Sequence, residues 1–318
     1  TMIGNNPGAV GTVNMTGTST FTSGEVMMVG RWGKGTFNQN GGVVNANQWM
    51  GVGADGSGAD GTYKLGADNV SGGRLNVASE LYVGRLASTG LLELGTGSIL
   101  SIGNVLNLAQ ESAVARGTVL NHGGAITVGG ELNVGVNTAG AIGVYTQTSG
   151  SLTANGMAGG GGNDANTVGR DGATGTLSIN GGTAQINGGL NVGRGGGIGE
   201  VNIDGGTMNH DGWLTVGRDG AGTGTVNGDA TDYSITARLN STSGNIKASG
   251  TPYVITEKLT GLGYLVNSSS SASTGTLTVA AKALTMSGLS VAANKVYNGT
   301  TSATVSGTAA LQSAEAVG

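Results

Sequence analysis

Arg31, Arg85, Arg170, Arg194 and Arg218 each close a Val-Gly-Arg triplet, so five guanidinium groups recur at one point of a repeated phrase. Stacked coils would align several of them in a column of paired N–H donors suited to sulfated or acidic glycans. Asp171 and Asp219 stand beside that column, which gives the competing reading of a neutralised, solubilising rim. The chain has no Cys, which removes disulfide frameworks, thiolate zinc sites and thiol nucleophiles together. Its two histidines, His122 and His210, fall on different faces several coils apart, so neither a metal pair nor an acid–base couple follows. His210 takes an inward slot filled by Ile186 one repeat earlier and reads as a satisfied core residue.

Asp55, Asp60, Asp171 and Asp219 sit in Gly-rich turns, the setting of calcium-binding β-helix repeats. Those repeats need an Asp in nearly every turn, and Gly195 occupies the place that Asp171 and Asp219 assign to one. No metal and no cofactor is therefore expected. Thr12, Thr36, Thr62, Thr118, Thr176 and Thr225 form an outward column broken by Val144 and Glu200, too irregular for a flat ice-binding face and accounted for by β-propensity.

The elements that position these residues follow from an internal repeat. Residues 168 to 191 read VGRDGATGTLSINGGTAQINGGLN and 192 to 215 read VGRGGGIGEVNIDGGTMNHDGWLT, a step of 24 residues. Anchors at Ile3, Val29, Val52, Val83, Leu108, Val134, Val168, Val192 and Val216 carry the same phrase through the chain, giving eight complete coils and the start of a ninth. Within a coil, apolar residues alternate with polar ones in pairs: Leu177 and Ile179, Ala184 and Ile186, Leu190 and Val192. Period two means a half-buried strand. Three strands per coil, turned at Asn-Gly-Gly and Val-Gly corners, predict an all-β fold: a right-handed parallel β-helix, a three-sided solenoid of about 24 residues per coil, followed by a smaller β-rich region. Two longer coils place surface insertions near 66–71 and 157–166.

Composition agrees. Gly accounts for 66 of 318 residues and charged residues for only 10%, against about a quarter in ordinary globular domains. A pI near 5.1 with scattered charge argues against nucleic acid, and no apolar run is long enough to span a bilayer. The repeat loses register after Asn227, dividing the chain into a β-helix of about nine coils over 1–228 and a β-rich region over 229–318. In the second region YSITARL, YVITEKL and GYLV read as strands, Ser268 to Ser273 as a linker, and GTLTVAAKALTMSGL onward as further strands. Thr1 is not preceded by a charged, hydrophobic leader, so an export signal is expected to have been removed or to lie outside this chain. The phrase is already running at Ile3 and stops one strand into a new unit, as expected of an excised piece or of a subunit stacked through open coil edges.

The units Leu177 to Val192 and Val201 to Val216, with VGR, G-T-L/V and G-G-T, resemble the passenger-domain repeats of type V secretion autotransporters and related surface proteins. KALTMSGL at 282–289 and NKVYNGTTSATVSGTA at 294–309 resemble the YDG-type modules of large bacterial adhesins, with Asn298 where that family has Asp. The resemblance implies a secreted β-helical protein on the surface of a Gram-negative bacterium, with adhesive or matrix roles and glycans or receptors as partners. It carries over no catalytic residue. The leading expectation is a non-enzymatic structural or adhesive surface protein. The alternatives are a β-helical polysaccharide lyase or hydrolase, which needs paired carboxylates, or a carboxylate, cation and basic residue on one face, where the repeat places none of the 18 acids together, and a self-assembling filament subunit joined through open coil edges.

Overall fold

The computed structural model describes residues 1–66, 73–156, 165–219, 221–229, 233–237, 274–280, 286–291 and 305–311. It is an all-β parallel solenoid of about 8 turns with a small antiparallel sheet after it. A turn takes about 26 residues on average rather than 24, because the spacing of 24 belongs to the last two coils alone.

Each coil contributes to three faces. The first face holds strands such as Asp60–Leu65, Thr89–Leu94, Thr174–Ile179 and Ile198–Ile203. The second holds Arg74–Val77, Ile99–Ile102, Thr183–Asn187 and Thr207–Gly212. The third is a nine-stranded sheet running from Met2–Ile3 to Leu214–Arg218. All neighbouring coils pair in parallel and in matching register: Leu177 lies on Val201, Ala184 on Met208, Val192 on Val216. The inward residues of the three faces merge into one apolar core that runs without interruption from Ile3 to Val226. A single coil cannot enclose its own apolar side chains, so burial is shared with the coils above and below.

Stacking continues beyond residue 228. Thr223–Asp229 adds a first-face strand, and Tyr233–Ala237 lies parallel on Thr207–Gly212 as the next strand of the second face. Chain contacts divide into one unit over Thr1–Val279 and another over Ala280–Gly318. In the latter, Met286–Val291 pairs antiparallel with Val305–Leu311. The segments YVITEKL and GYLV, the Ser-rich stretch 268–273 and most of both proposed insertions lie outside the described residues. Asn166 was expected within an unpacked loop. It is instead the first residue of Asn166–Arg170 and wholly buried.

The corner between the third and first faces is the tightest part of the coil. The residue after each third-face anchor has positive φ: Gly4, Gly30, Gly53, Gly84, Gly135, Gly169, Gly193 and Gly217, and also Ala109, which at φ 55 is the one non-glycine in the column. The second residue of each first-face strand is also Gly, and the two columns touch backbone to backbone. A Cβ on Gly175 would fall inside the van der Waals envelope of the Val134 carbonyl oxygen and the Gly169 nitrogen; one on Gly169 would strike the Ile198 carbonyl. These contacts are with backbone, which cannot swing aside.

Other corners are held by buried amides in slots that elsewhere carry Leu or Ile. Gln147 donates from Nε2 to the carbonyls of Gly181 and Thr183 at 3.1 Å and accepts from the Tyr145 hydroxyl at 3.1 Å. Gln39 donates to the Gly41, Gly42 and Arg74 carbonyls, while Asn121 accepts from the amides of Gly123 and Gly124. A corner breaks the strand ladder, and an unpaired buried carbonyl costs about 1–3 kcal/mol. The amides meet that need, and the three strands carrying them, Lys34–Ala46, Arg116–Val128 and Ile142–Ala154, continue through the corner with a register shift there.

His210 does occupy the inward slot below Ile186 and above Ile235. Its ring nitrogens make no well-aligned hydrogen bond there. Burial pushes its pKa down to about 4 from 6.5, against weaker upward pulls from Asp211 and the Gly188 backbone. At pH 7 the ring is neutral folded and unfolded. Between about pH 6.5 and pH 4 the unfolded chain takes up a proton that the folded chain refuses, so stability falls as the pH drops through that window.

Two outcomes follow. Gly175→Ala should lower stability by about 3 kcal/mol or more, whereas Gly196→Ala, where φ is +78 and no atom lies within 4 Å of an added Cβ, should cost about 1 kcal/mol; urea unfolding followed by circular dichroism measures both. His210→Ile should abolish a stability loss of up to about 3 kcal/mol between pH 7 and pH 4, read as the difference in unfolding midpoint between the two proteins at each pH.

Candidate functional site

The five arginines lie where the third face turns toward the first, and the register confirms stacking for Arg170, Arg194 and Arg218. The column is not continuous. Arg85 stacks on Gln110, which stacks on Val136, and Ala54 holds the equivalent place between Arg31 and Arg85. Two groups result, an upper one around Arg31 and Arg85 and a lower one of three successive arginines.

Each arginine meets an acid. Asp55 lies 3.6 Å from both Arg31 Nε and Arg85 Nη1, and Arg85 Nε reaches Glu111 at 3.0 Å. Arg170 Nε lies 3.4 Å from Asp171, and Asp219 is shared between Arg194 Nε at 3.1 Å and Arg218 Nε at 3.3 Å. Asp55, Glu111, Asp171 and Asp219 all hold positive φ in the turn that follows the arginine position. That conformation is open to Asp through local hydrogen bonding. The turn therefore delivers carboxylates to the guanidinium column, and the edge is a lattice of alternating charge. Burial lowers the pKa of Arg170, with Asp171 and Glu131 pulling it back up.

Sequence reasoning missed the aromatic residues on this face. Arg31 Cζ lies 4.1 Å from the centre of the Trp32 ring, and Trp32 Nε1 donates to the Asp55 carbonyl at 2.7 Å. Arg85 covers Trp49 at 5.4 Å and Tyr82 at 4.9 Å, and those two rings meet edge to face at 5.6 Å. Arg218 lies 5.4 Å from Trp213. All three tryptophans of the chain thus pair with an arginine of the column. The Tyr82 hydroxyl donates to Glu80 at 2.9 Å; burial first, then that hydrogen bond, push its pKa up to about 12. The available signal was spacing: Trp49 and Trp213 each precede an anchor by three residues, which sets them on the outer side of the same strand row.

Between aromatics and arginines runs a row of buried polar side chains. Asn133 donates to Asn107 at 3.0 Å and to Glu131 at 3.1 Å, and Thr215 donates to Asn191 at 2.6 Å. The outer side of the third face is itself covered: Thr167 and Asn191 are fully buried.

The acids and threonines do not converge. Asp60 starts a first-face strand and faces Lys34 at 4.0 Å, away from Asp55. Among the described residues no three of His, Asp and Glu come together to hold a metal. The Thr column is interrupted by Leu91 as well as by Val144 and Glu200. His122 lies at the first corner, 3.9 Å from Glu93 and 3.3 Å from the Thr148 hydroxyl, far along the chain from His210. No described helix is long and apolar enough to cross a membrane.

No family model, curated protein or solved structure matches this chain.

Arg85 joins two acids and two rings from three successive coils, so Arg85→Ala should cost about 1–2 kcal/mol, the sum of partly exposed ion pairs and cation–π contacts. Arg85→Lys should retain part of that, and raising the salt concentration should narrow the gap between wild type and Arg85→Ala in thermal unfolding.

Proposed function

We propose that this chain is a non-enzymatic structural or adhesive protein, displayed outside a Gram-negative cell and related to the passenger repeats of type V secretion, with a YDG-like module toward its end. The observation that carries the reading is the single core running from Ile3 to Val226 beneath three faces of stacked parallel strands. Such a body holds side chains at a fixed spacing of about 4.8 Å along its axis, which suits many weak contacts spread along a polymer or a neighbouring surface. Hydrogen-bonded ladders stiffen the outer faces: Asn38 to Asn14 at 2.8 Å, Asn76 to Asn45 at 2.8 Å, Asn227 to Asn202 at 2.7 Å. The antiparallel pair Met286–Val291 and Val305–Leu311 fits a small appended β module.

Glycans are the proposed partners of the arginine edge, Arg31, Arg85, Arg170, Arg194 and Arg218. Its alternating charge and its amide and aromatic neighbours favour hydroxyl-rich chains of low charge density over densely sulfated ones, because each guanidinium already faces a carboxylate. Immobilised neutral and uronic-acid polysaccharides should retain the protein in a surface-binding assay, and incubation with pectin or alginate should release no shortened products. Chain shortening would overturn the non-enzymatic reading; failure to bind every polysaccharide and every cell surface tried would overturn the adhesive one.

A further inference from the structure

Five Asn-Gly steps lie among the described residues, at Asn40, Asn155, Asn180, Asn187 and Asn227. In such a step the electrophilic side-chain amide carbon is one ring closure away from the next backbone nitrogen, and Gly has no Cβ to shield that nitrogen. Closure needs two freedoms. The Gly N–H must be unbonded, and the peptide unit between the two residues must be able to turn.

Four of the five steps lack these freedoms. The Gly156 N–H donates to the Gly130 carbonyl at 2.9 Å, and the Gly188 N–H to the Asp211 carbonyl at 2.7 Å. Asn187 Nδ2 also donates to Asn155 Oδ1 at 3.1 Å, which occupies both side chains. Asn40–Gly41 and Asn227–Gly228 lie inside the strands Lys34–Ala46 and Thr223–Asp229, where turning the peptide unit breaks the ladder.

Asn180–Gly181 is placed differently. It forms the corner between Thr174–Ile179 and Thr183–Asn187, and Asn180 is exposed. Among the described residues nothing hydrogen-bonds to the Asn180 side chain, to its carbonyl or to the Gly181 N–H. The peptide units on either side are held: the Asn180 N–H donates to the Gln147 carbonyl at 2.8 Å, and the Gly181 carbonyl accepts from Gln147 Nε2 at 3.1 Å. One unbonded peptide unit is thus suspended between two fixed ones.

We propose that Asn180 is a site of spontaneous covalent modification. The Gly181 nitrogen attacks Asn180 Cγ and gives up its proton to solvent, and ammonia leaves as a five-membered imide closes. Water then opens the ring. Cleavage at the former side-chain carbon restores the backbone and leaves Asp; cleavage at the former backbone carbonyl leaves isoaspartate, with the chain rerouted through the side chain. The next coil shows that the slot takes the first product, since Asp204 follows Ile203 as Asn180 follows Ile179, and those two isoleucines pair. The second product lengthens the chain at a corner that Gln147 grips through the Gly181 and Thr183 carbonyls. This is independent of the adhesive reading, because it needs only the backbone and water.

The test is to hold the folded full chain at mildly alkaline pH, digest it with trypsin and locate amide-to-acid conversion by mass spectrometry. Asn180 and Asn187 share the peptide that runs from Asp171 to Arg194, so fragmentation must separate them. Conversion at Asn180 should run at least about tenfold faster than at the other four steps, where a hydrogen bond must first break. In urea the five rates should converge, because the fold no longer distinguishes the steps. Asn180→Gln, whose longer side chain closes a less favourable ring, should melt as wild type does and stay unconverted at residue 180. Equal rates in the folded protein, faster conversion at another step, no conversion at Asn180, selectivity that persists in urea, or conversion at residue 180 in Asn180→Gln would each overturn the proposal.

Discussion

Two columns of glycine meeting backbone to backbone set the cross-section of this molecule. Where the third face turns into the first, Gly169 and Gly175 and their equivalents in other coils bring two strands closer than any pair of side chains permits. The coil is consequently pinched at that corner, and the remaining perimeter is filled by two side-chain slots per face. Apolar burial supplies the driving force, yet only the glycine contact decides that the three strands close into a narrow outline. It also explains the composition: much of the glycine content is a steric requirement repeated once or twice per coil.

Polar groups follow the same logic of repetition. At the wide corners, buried amides on Gln39, Asn121 and Gln147 satisfy carbonyls that the ladder gives up. At the pinched corner, residues with positive φ swing carboxylates against the arginines of neighbouring coils. Charge is thus used within and between coils, as links along the stack, while His210 is the one described inward imidazole, with only weak pulls from Asp211 and the Gly188 backbone against its burial.

The sequence announced the solenoid because period-two alternation and a recurring Val-Gly-Arg phrase depend on local geometry alone. The anchors at Val168, Val192 and Val216 pair as their spacing implied. What spacing did not reveal depends on contacts between coils of unequal length. Ala54, Gln110 and Val136 interrupt the arginine column, Leu91 interrupts the threonines, and Asn166 enters the core because its amide can replace the hydrogen bonds an aliphatic residue would forgo. The arginine–aromatic pairing was also hidden, since Trp49 and Tyr82 belong to different coils and meet only in three dimensions.

Asn166 has a consequence of its own. Its Oδ1 accepts from the Leu132 amide at 2.9 Å and its Nδ2 donates to the Asn187 carbonyl at 2.9 Å, so the strand it opens is anchored to the coils on either side. On the other flank, the Gly156 amide donates to the Gly130 carbonyl at 2.9 Å. Both banks, up to Gly156 and from Asn166 onward, thus keep their places in the stack through hydrogen bonds of their own, a rivet through three successive coils.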